Sequence, residues 1–368
     1  MTGSGTFQKF PLERSRNGAA APPPIYCGAV NPAQTSRPPT VHDVARAAGV
    51  SKSAVSLAVR NQKGLSEATR QHILSVAQEL GYRSNVWARS LVQGRSGLVG
   101  VLLQDLGNSY HRDVTAGVED AAAEQDLRLV IGHGRRDAAK LRTELDSLLA
   151  LGVEGVVIVS SWLPPQALEE IARRVPLVVA GRLPELVSGV DSVANHDEIG
   201  ARLAVEHLTE LGHERIIHLT GSARPAAMHR QATFREVMRE HVPGIEPRVE
   251  GPQRVDAAVR HVIFQLREEK APPTAVFTQN DRVAADLVGA CLDAGVSIPG
   301  QLSVVGYDNS SICRMLRPQL TSVDQPRQQM GRMALEMLSQ RLAGRSEDLH
   351  ERLSPQLVVR SSTGVPGT

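Results

Sequence analysis

At 368 residues the chain exceeds one ordinary core, so a small N-terminal module and one or two larger lobes are expected. Cys27, Cys291 and Cys313 are scattered and odd in number, which excludes a disulfide framework or metal-ligand spacing and fits a reducing cytosol, while no apolar run approaches the ~18 residues of a membrane span. The net charge of +2 conceals an asymmetry, because residues 39–96 carry eight bases against three acids and residues 97–368 are net acidic.

Residues 1–38 are rich in Pro, Gly, Ala and Ser, with Pro22 to Pro24 in a row, and lack the apolar core of a secretion signal; they read as a disordered extension. Next comes TVHDVARAAGVSKSAVSLAVR at 40–60. Thr40 and Asp43 stand at capping-box spacing, and Val41, Val44, Ala47 and Ala48 form a narrow stripe of small apolar residues. Gly49 stops this helix, and Ser51 is placed to cap a second one. In the second helix Val55 and Val59 point inward, leaving Lys52, Ser53, Ser56 and Arg60 outward. A third helix starts at Ser66 and Glu67, runs through Ile73, Leu74, Ala77 and Leu80, and stops at Gly81. Three helices sharing one small core, with a polar and basic face on the second, match a helix-turn-helix in which the second helix enters the major groove. On pattern alone an ordinary helical bundle is as good a reading; the concentration of basic charge at this end of an otherwise acidic chain favours DNA.

From Gly97 the pattern changes to short apolar runs alternating with amphipathic stretches. Strands are expected at 98–103, 127–131, 155–159 and 177–180, the first three each followed by a helix of ten or more residues. A second series begins with a helix from about Ile199 to Leu211 and continues with strands at 215–219, 275–278 and 302–305. Repeated β-α-β units imply two parallel-sheet lobes with a ligand cleft beyond the carboxyl ends of the strands.

Three weaker signals are set aside. In His213-Glu214-Arg215-Ile216-Ile217-His218 the histidines are five residues apart, about 140° around a helix, and the segment reads as entry into a strand rather than a zinc helix. Gly132-His133-Gly134-Arg135-Arg136 lacks the dinucleotide fingerprint, and His196-Asp197 reads as helix initiation. No metal, cofactor or catalytic triad is expected.

The stretch from Thr40 to about Thr363 resembles the lactose-repressor/galactose-repressor family of bacterial transcription regulators. The landmarks are TVHDVARAAGVSKSAVS, LSEATRQHILSVAQELGY at 65–82, ARSLVQGRSGLVGVLL at 88–103, HLTELGHERI at 207–216, LSVVGYDNS at 302–310 and LTSVDQP at 320–326. The resemblance implies an all-α helix-turn-helix domain at 39–83, a hinge helix at 84–96, and an α/β periplasmic-binding-protein-like core of two parallel-sheet lobes at 97–368. It implies a cytoplasmic homodimer without enzymatic activity, most simply a repressor, that binds double-stranded operator DNA as an inverted repeat and takes a small, sugar-like effector between its lobes.

Carried over by position, Thr40, Ser51, Ser56, Ser66, Thr69, Tyr82 and Asn85 correspond to phosphate-facing residues, and Lys52, Ser53 and Leu57 to base-reading ones. Leu57 stands where the lactose repressor has arginine and Arg60 where the family usually has asparagine, so the operator differs; Leu57 suits a thymine methyl and not a bidentate guanine contact. Asn85 to Gln93, including Ala88, Arg89 and Leu91, match the hinge segment, with Ser84 at the usual proline and Leu91 at the minor-groove wedge. For the effector, Arg230 opens the pattern R-x-x-G-F with Thr233 in place of glycine, and Asp105, Asn108, Tyr110, Asn280, Asp281 and Asp308 match cleft positions. Gly181 followed by Arg182 replaces an aspartate of the lactose repressor. The alternatives on the same two-lobed architecture are a transport receptor for a solute and a sugar-converting enzyme.

Overall fold

The structure is a computed structural model describing residues 39–59, 63–82, 95–251 and 255–367. The expected N-terminal extension, Arg60, Asn85, Ala88, Arg89, Leu91 and nearly all of the hinge lie outside the described residues. The chain divides into two compact units, one up to Asn85 and one from Val86 onward.

The first unit holds α1 (Val41–Ala47), α2 (Lys52–Val59) and α3 (Glu67–Glu79). Asp43 accepts from both the backbone N–H and the hydroxyl of Thr40, at 2.9 and 2.6 Å, and Gly49 takes the left-handed φ of 65° that ends α1. The Ser51 hydroxyl accepts from Ala54 N–H at 3.1 Å, and the Ser66 hydroxyl from Thr69 N–H at 3.1 Å, so α2 and α3 each begin on a serine cap. Val44, Val55 and Ile73 are fully buried where the helices meet, packed round by Ala45, Ala48, Ala58 and Ala77. Leu74 and Leu80, expected in this core, are instead exposed at the rim, because the alanine-lined centre is filled by one large side chain from α3, Ile73. Arg70 also turns inward and donates to the Leu57 and Ala58 carbonyls at the end of α2, both at 3.5 Å, so this base serves the fold.

The second unit begins with β1 (Leu98–Leu103), α4 (Ser109–Ala123), β2 (Arg128–His133), α5 (Ala138–Ala150), β3 (Gly155–Val159), α6 (Pro165–Ala172), β4 (Leu177–Ala180) and β5 (Val190–Asn195). It continues through α7 (Asp197–Glu210), β6 (Ile216–Leu219), α8 (Pro225–His241), β7 (Arg248–Glu250), α9 (Val255–Glu268), β8 (Ala275–Thr278), α10 (Asp281–Asp293), β9 (Ser303–Tyr307), α11 (Ile312–Met315) and β10 (Thr321–Asp324). Last come α12 (Arg327–Leu342), β11 (His350–Leu353) and β12 (Gln356–Val358). Two six-stranded sheets result, ordered β11-β5-β4-β3-β1-β2 and β12-β10-β9-β8-β6-β7. The first is parallel throughout. The second is parallel except for β12, which runs antiparallel to β10.

Each sheet is covered on both faces, as near-continuous apolar strands require. In the first lobe Val99, Val101 and Leu103 of β1 face α4 and α12, while Leu102 packs toward α5 and α6. The lobes are not the consecutive halves expected from the sequence. The chain crosses after β5, returns after β10 to place α12 and β11 in the first lobe, and crosses again before β12. The return is held by backbone-to-backbone packing of α4 on α12. A Cβ on Gly117 would lie 2.0 Å from the Gln328 carbonyl oxygen, and one on Gly331 would lie 1.9 Å from that of Val114. The short β5, β7, β10, β11 and β12 were not expected. The β5 segment, VDSVAN, is fully buried although polar, because Arg341 and Arg345 from the returning chain both pair with the buried Asp191. At eight residues α6 is also shorter than expected.

Candidate functional site

The helix-turn-helix unit presents its candidate DNA residues on short local supports. Lys52 and Ser53 are exposed in the first turn of α2, and Ser56 and Leu57 follow half-buried one turn on. Ser51 and Ser66 serve as caps, and the Ser66 and Thr69 hydroxyls lie 2.7 Å apart on the exposed start of α3. Thr40 caps α1 through Asp43, and Tyr82 packs half-buried against the core just past Gly81.

In the second unit the strands of both sheets end at a cleft of about 1000 Å³. The end of β1 leads into Gln104 and Asp105, that of β3 into Ser160 to Trp162, that of β4 into Gly181 and Arg182, and β5 finishes on Asn195. The second lobe contributes Gly221 and Ser222 after β6, Arg224 and Arg230 around the start of α8, Asn280 after β8 and Asp308 after β9.

Charge in this cleft is arranged in pairs. Arg230 donates to Asp197 at 2.7 Å and lies with its guanidinium 4.3 Å from the centre of the Tyr307 ring. Arg182 grips Glu198 with two bonds of 2.9 and 2.7 Å and also approaches Asp197 at 3.6 Å, so a residue from the first lobe binds the opening turn of α7 in the second. Burial would raise the Glu198 carboxyl, but the Arg182 hydrogen bonds override it and hold the pKa at about 2. Asp105 is paired with Arg136. Asp308 accepts from Gln325 at 2.5 Å, and burial together with the nearby Asp281 charge pushes its pKa up to about 7.

Of the candidate effector residues, Asp105, Asn108, Tyr110, Arg230, Asn280 and Asp308 line the cleft together. Asn108 and Asn280 also cap α4 and α10. Asp281 is a correction. It does not line the cleft; its carboxylate accepts from the Ser322 hydroxyl and the Ser310 N–H, both at 2.6 Å, and fastens the β9 loop to β10. Gly306 lets it in, since a Cβ there would meet the Asp281 oxygen at 2.4 Å.

Sequence reasoning missed Gln104, Trp162, Asn195 and Arg224 as cleft residues, and took Asp197 only for helix initiation. Gln104 is 1% exposed with neither amide atom hydrogen-bonded, and Asn195 is 4% exposed with its Oδ1 free after its amide donates to Tyr307 at 2.6 Å. Arg230 Nε is likewise without a partner. Their one sequence signal is position at strand ends. Buried polar groups left open beside a cavity are costly in isolation and suited to a polar ligand. Among the described residues no cluster of His, Cys, Asp and Glu suits a metal, and no helix is long and apolar enough to cross a membrane.

Comparison with known proteins agrees with both units. Residues 40–85 match the pattern of bacterial regulatory proteins of the lacI family, and residues 205–363 that of a periplasmic binding protein-like domain. Catabolite control protein A of Priestia megaterium is 30% identical over 82% of this chain and 91% of its own. The ribose operon repressor of Halalkalibacterium halodurans is 32% identical over 88% of this chain and 97% of its own. The crystal structure of the lac repressor dimer bound to operator and the anti-inducer ONPF superposes with a TM-score of 0.77 at 27% identity, covering 89% of this chain and all of that one.

Proposed function

The chain belongs to the lacI family of bacterial regulatory proteins and is a DNA-binding transcription regulator, and we propose that it acts in the cytoplasm as a homodimeric repressor of an inverted-repeat operator, controlled by a sugar-like effector in its cleft. The carrying observation is the buried Gln104 amide, with neither atom hydrogen-bonded, and the open Oδ1 of buried Asn195 where the two lobes face each other, on a chain that also carries a capped helix-turn-helix. The ribose operon repressor and the operator-bound lac repressor dimer support the sugar and dimer parts of this reading.

In this account Thr40, Ser51, Ser56, Ser66, Thr69 and Tyr82 set the register on phosphates, while Lys52, Ser53 and Leu57 read base edges. Arg60 joins the recognition helix, and Asn85, Ala88, Arg89 and Leu91 belong to a hinge over 84–96. The effector meets Asp105, Asn108, Tyr110, Arg230, Asn280 and Asp308 together with Gln104 and Asn195. It favours one degree of lobe closure, and DNA affinity changes only as far as the effector binds the two forms unequally. A binding role fits the cleft better than catalysis, because of its three lining acids Asp105 and Asp197 are each tied to an arginine and Asp308 accepts from the Gln325 amide.

Footprinting on DNA adjoining the protein's own gene, with and without candidate sugars, tests the reading. An inverted-repeat footprint that one sugar weakens or strengthens is expected, with a steep loss of affinity in salt, about −0.9 in log–log slope per phosphate contacted. A salt slope near zero, or no preference for any site, overturns it. Removing residues 1–96 should abolish DNA binding and spare effector binding; a receptor or enzyme would keep its whole activity.

A further inference from the structure

Four arginines line the cleft, and three of them are neutralised within it: Arg136 by Asp105, Arg182 by Glu198 and Arg230 by Asp197. Arg224 is different. Among the described residues its exposed side chain has no carboxylate partner and no hydrogen bond, and partial desolvation pulls its pKa down. Its guanidinium lies instead on the indole of Trp162, which comes from the opposite lobe, 3.6 Å from the ring centre. A stacked guanidinium spends its face on the ring and leaves its in-plane N–H donors pointing away from it.

Arg224 also stands at the N-cap of α8, a helix of 17 residues that opens on Pro225 and has no side-chain cap, and Ala226 of its first turn lines the same cleft. Free first-turn N–H groups and the positive end of the helix dipole reinforce the unpaired cation. Deeper in the cleft, Gln104 offers both a donor and an acceptor and Asn195 an acceptor, all without partners. Hydroxyl groups, which donate and accept at once, satisfy that mixture.

We propose that the effector is an anionic polyhydroxy compound, a sugar phosphate or a sugar acid, whose anionic group is held by Arg224 at the start of α8 and whose hydroxyls meet Gln104 and Asn195. The proposal rests on the cleft being the effector site. It adds that the cleft selects for charge, through the one lining arginine with no carboxylate partner among the described residues, and that the anion sits where Arg224 and Trp162 bring the two lobes together.

The test titrates the full-length protein with ribose, ribose 5-phosphate, galactose, galacturonate and inorganic phosphate, by calorimetry and indole fluorescence, with Trp162→Phe assigning the optical signal. At least one anionic sugar should bind about tenfold or more tightly than its neutral parent, as expected for a charge-assisted bidentate contact. A ribose 5-phosphate preference identifies phosphate, and a galacturonate preference carboxylate. Arg224→Gln should erase that ratio while leaving the neutral parent's affinity, Arg224→Lys should restore part of it, and the variants' melting curves check folding. Equal affinity for charged and neutral sugars, a ratio unchanged in Arg224→Gln, or no binding of any of the five probes overturns the proposal. Neutral sugar bound as tightly as its anionic counterpart, with Gln104→Ala removing both, would overturn the anion subsite and leave the effector cleft standing; sugar binding indifferent to both variants would overturn both.

Discussion

In the helix-turn-helix unit, the candidate contacts described all lie within residues 40–82, each supported by a cap or turn a few positions away, as Ser51 supports the start of α2 and Ser66 that of α3. The cleft instead gathers Gln104, Trp162, Arg182, Asn195, Arg224 and Asp308 from strand ends spread over residues 104–308. The first site is as strong as its local hydrogen bonds and one small core. The second exists only while two sheets and a returning helix hold their places, so damage remote from it in sequence should still reach it.

The sharpest separation comes from the contact between α4 and α12. Gly331→Val would drive a side chain into the Val114 carbonyl, where a Cβ alone would stand 1.9 Å away, and should cost about 4 kcal/mol of core stability with loss of effector binding. Chemical denaturation followed by circular dichroism measures this, and a core of unchanged midpoint would refute the packing argument. Next, Asp197→Ala leaves Arg230 and Arg182 facing each other across the cleft without their shared acid, which should cost about 3 kcal/mol and weaken effector binding while DNA binding without effector persists. Calorimetry and gel shift on the same preparation read the two halves of that statement.

In the other unit, Ile73→Ala empties the centre of the three-helix core and should cost about 2–3 kcal/mol, a large fraction of what so small a core supplies. Operator binding should fall sharply with effector affinity unchanged; parallel loss of both would mean that the units are not separable. A milder effect follows from protons. Burial pulls His218 down to about 3 and His111 to about 4, so both stay neutral in the folded core while the unfolded chain protonates near 6.5. No penalty applies above pH 6.5; as pH falls through 6.5 toward 4 the unfolded chain gains protons that these two buried rings refuse, and the core loses stability, offset only in part by the single Asp308 carboxyl, which takes up its proton in the folded core first. The core melting temperature should decline over pH 6.5 to 5, and a flat profile there would contradict it. The smallest change is Ser66→Ala, which removes one cap from α3 and should cost about 1 kcal/mol, visible as a small drop in melting temperature.

Much of this was legible along the chain, unevenly. The strands at 98–103, 155–159 and 177–180 follow the apolar runs because a strand buried on both faces needs nothing but apolar side chains. The stretch at 190–195 contains Asp191 and Ser192, which break the apolar run that marks a buried strand, and it becomes one only where Arg341 and Arg345 arrive from the far end of the chain. The resemblance pointed to Arg230 and Asp308, whereas Gln104 and Asn195 carry no signal beyond their place at strand ends and acquire meaning from their burial. Asp281 illustrates the reverse error: a family position matched in sequence, with a carboxylate that the loop hydroxyls and amides claim first.

Caps, helix stops and apolar runs are decided among residues within a turn or a strand of one another, and so the order of elements, the helix-turn-helix and its basic bias could be read directly from the residue string. Which lobe receives α12, which arginine finds a carboxylate and which is left on an indole depend on segments brought together from far along the chain. Those choices are settled by packing and by the cost of burying unpaired charge, quantities that have no value until the sheets have closed around the cleft.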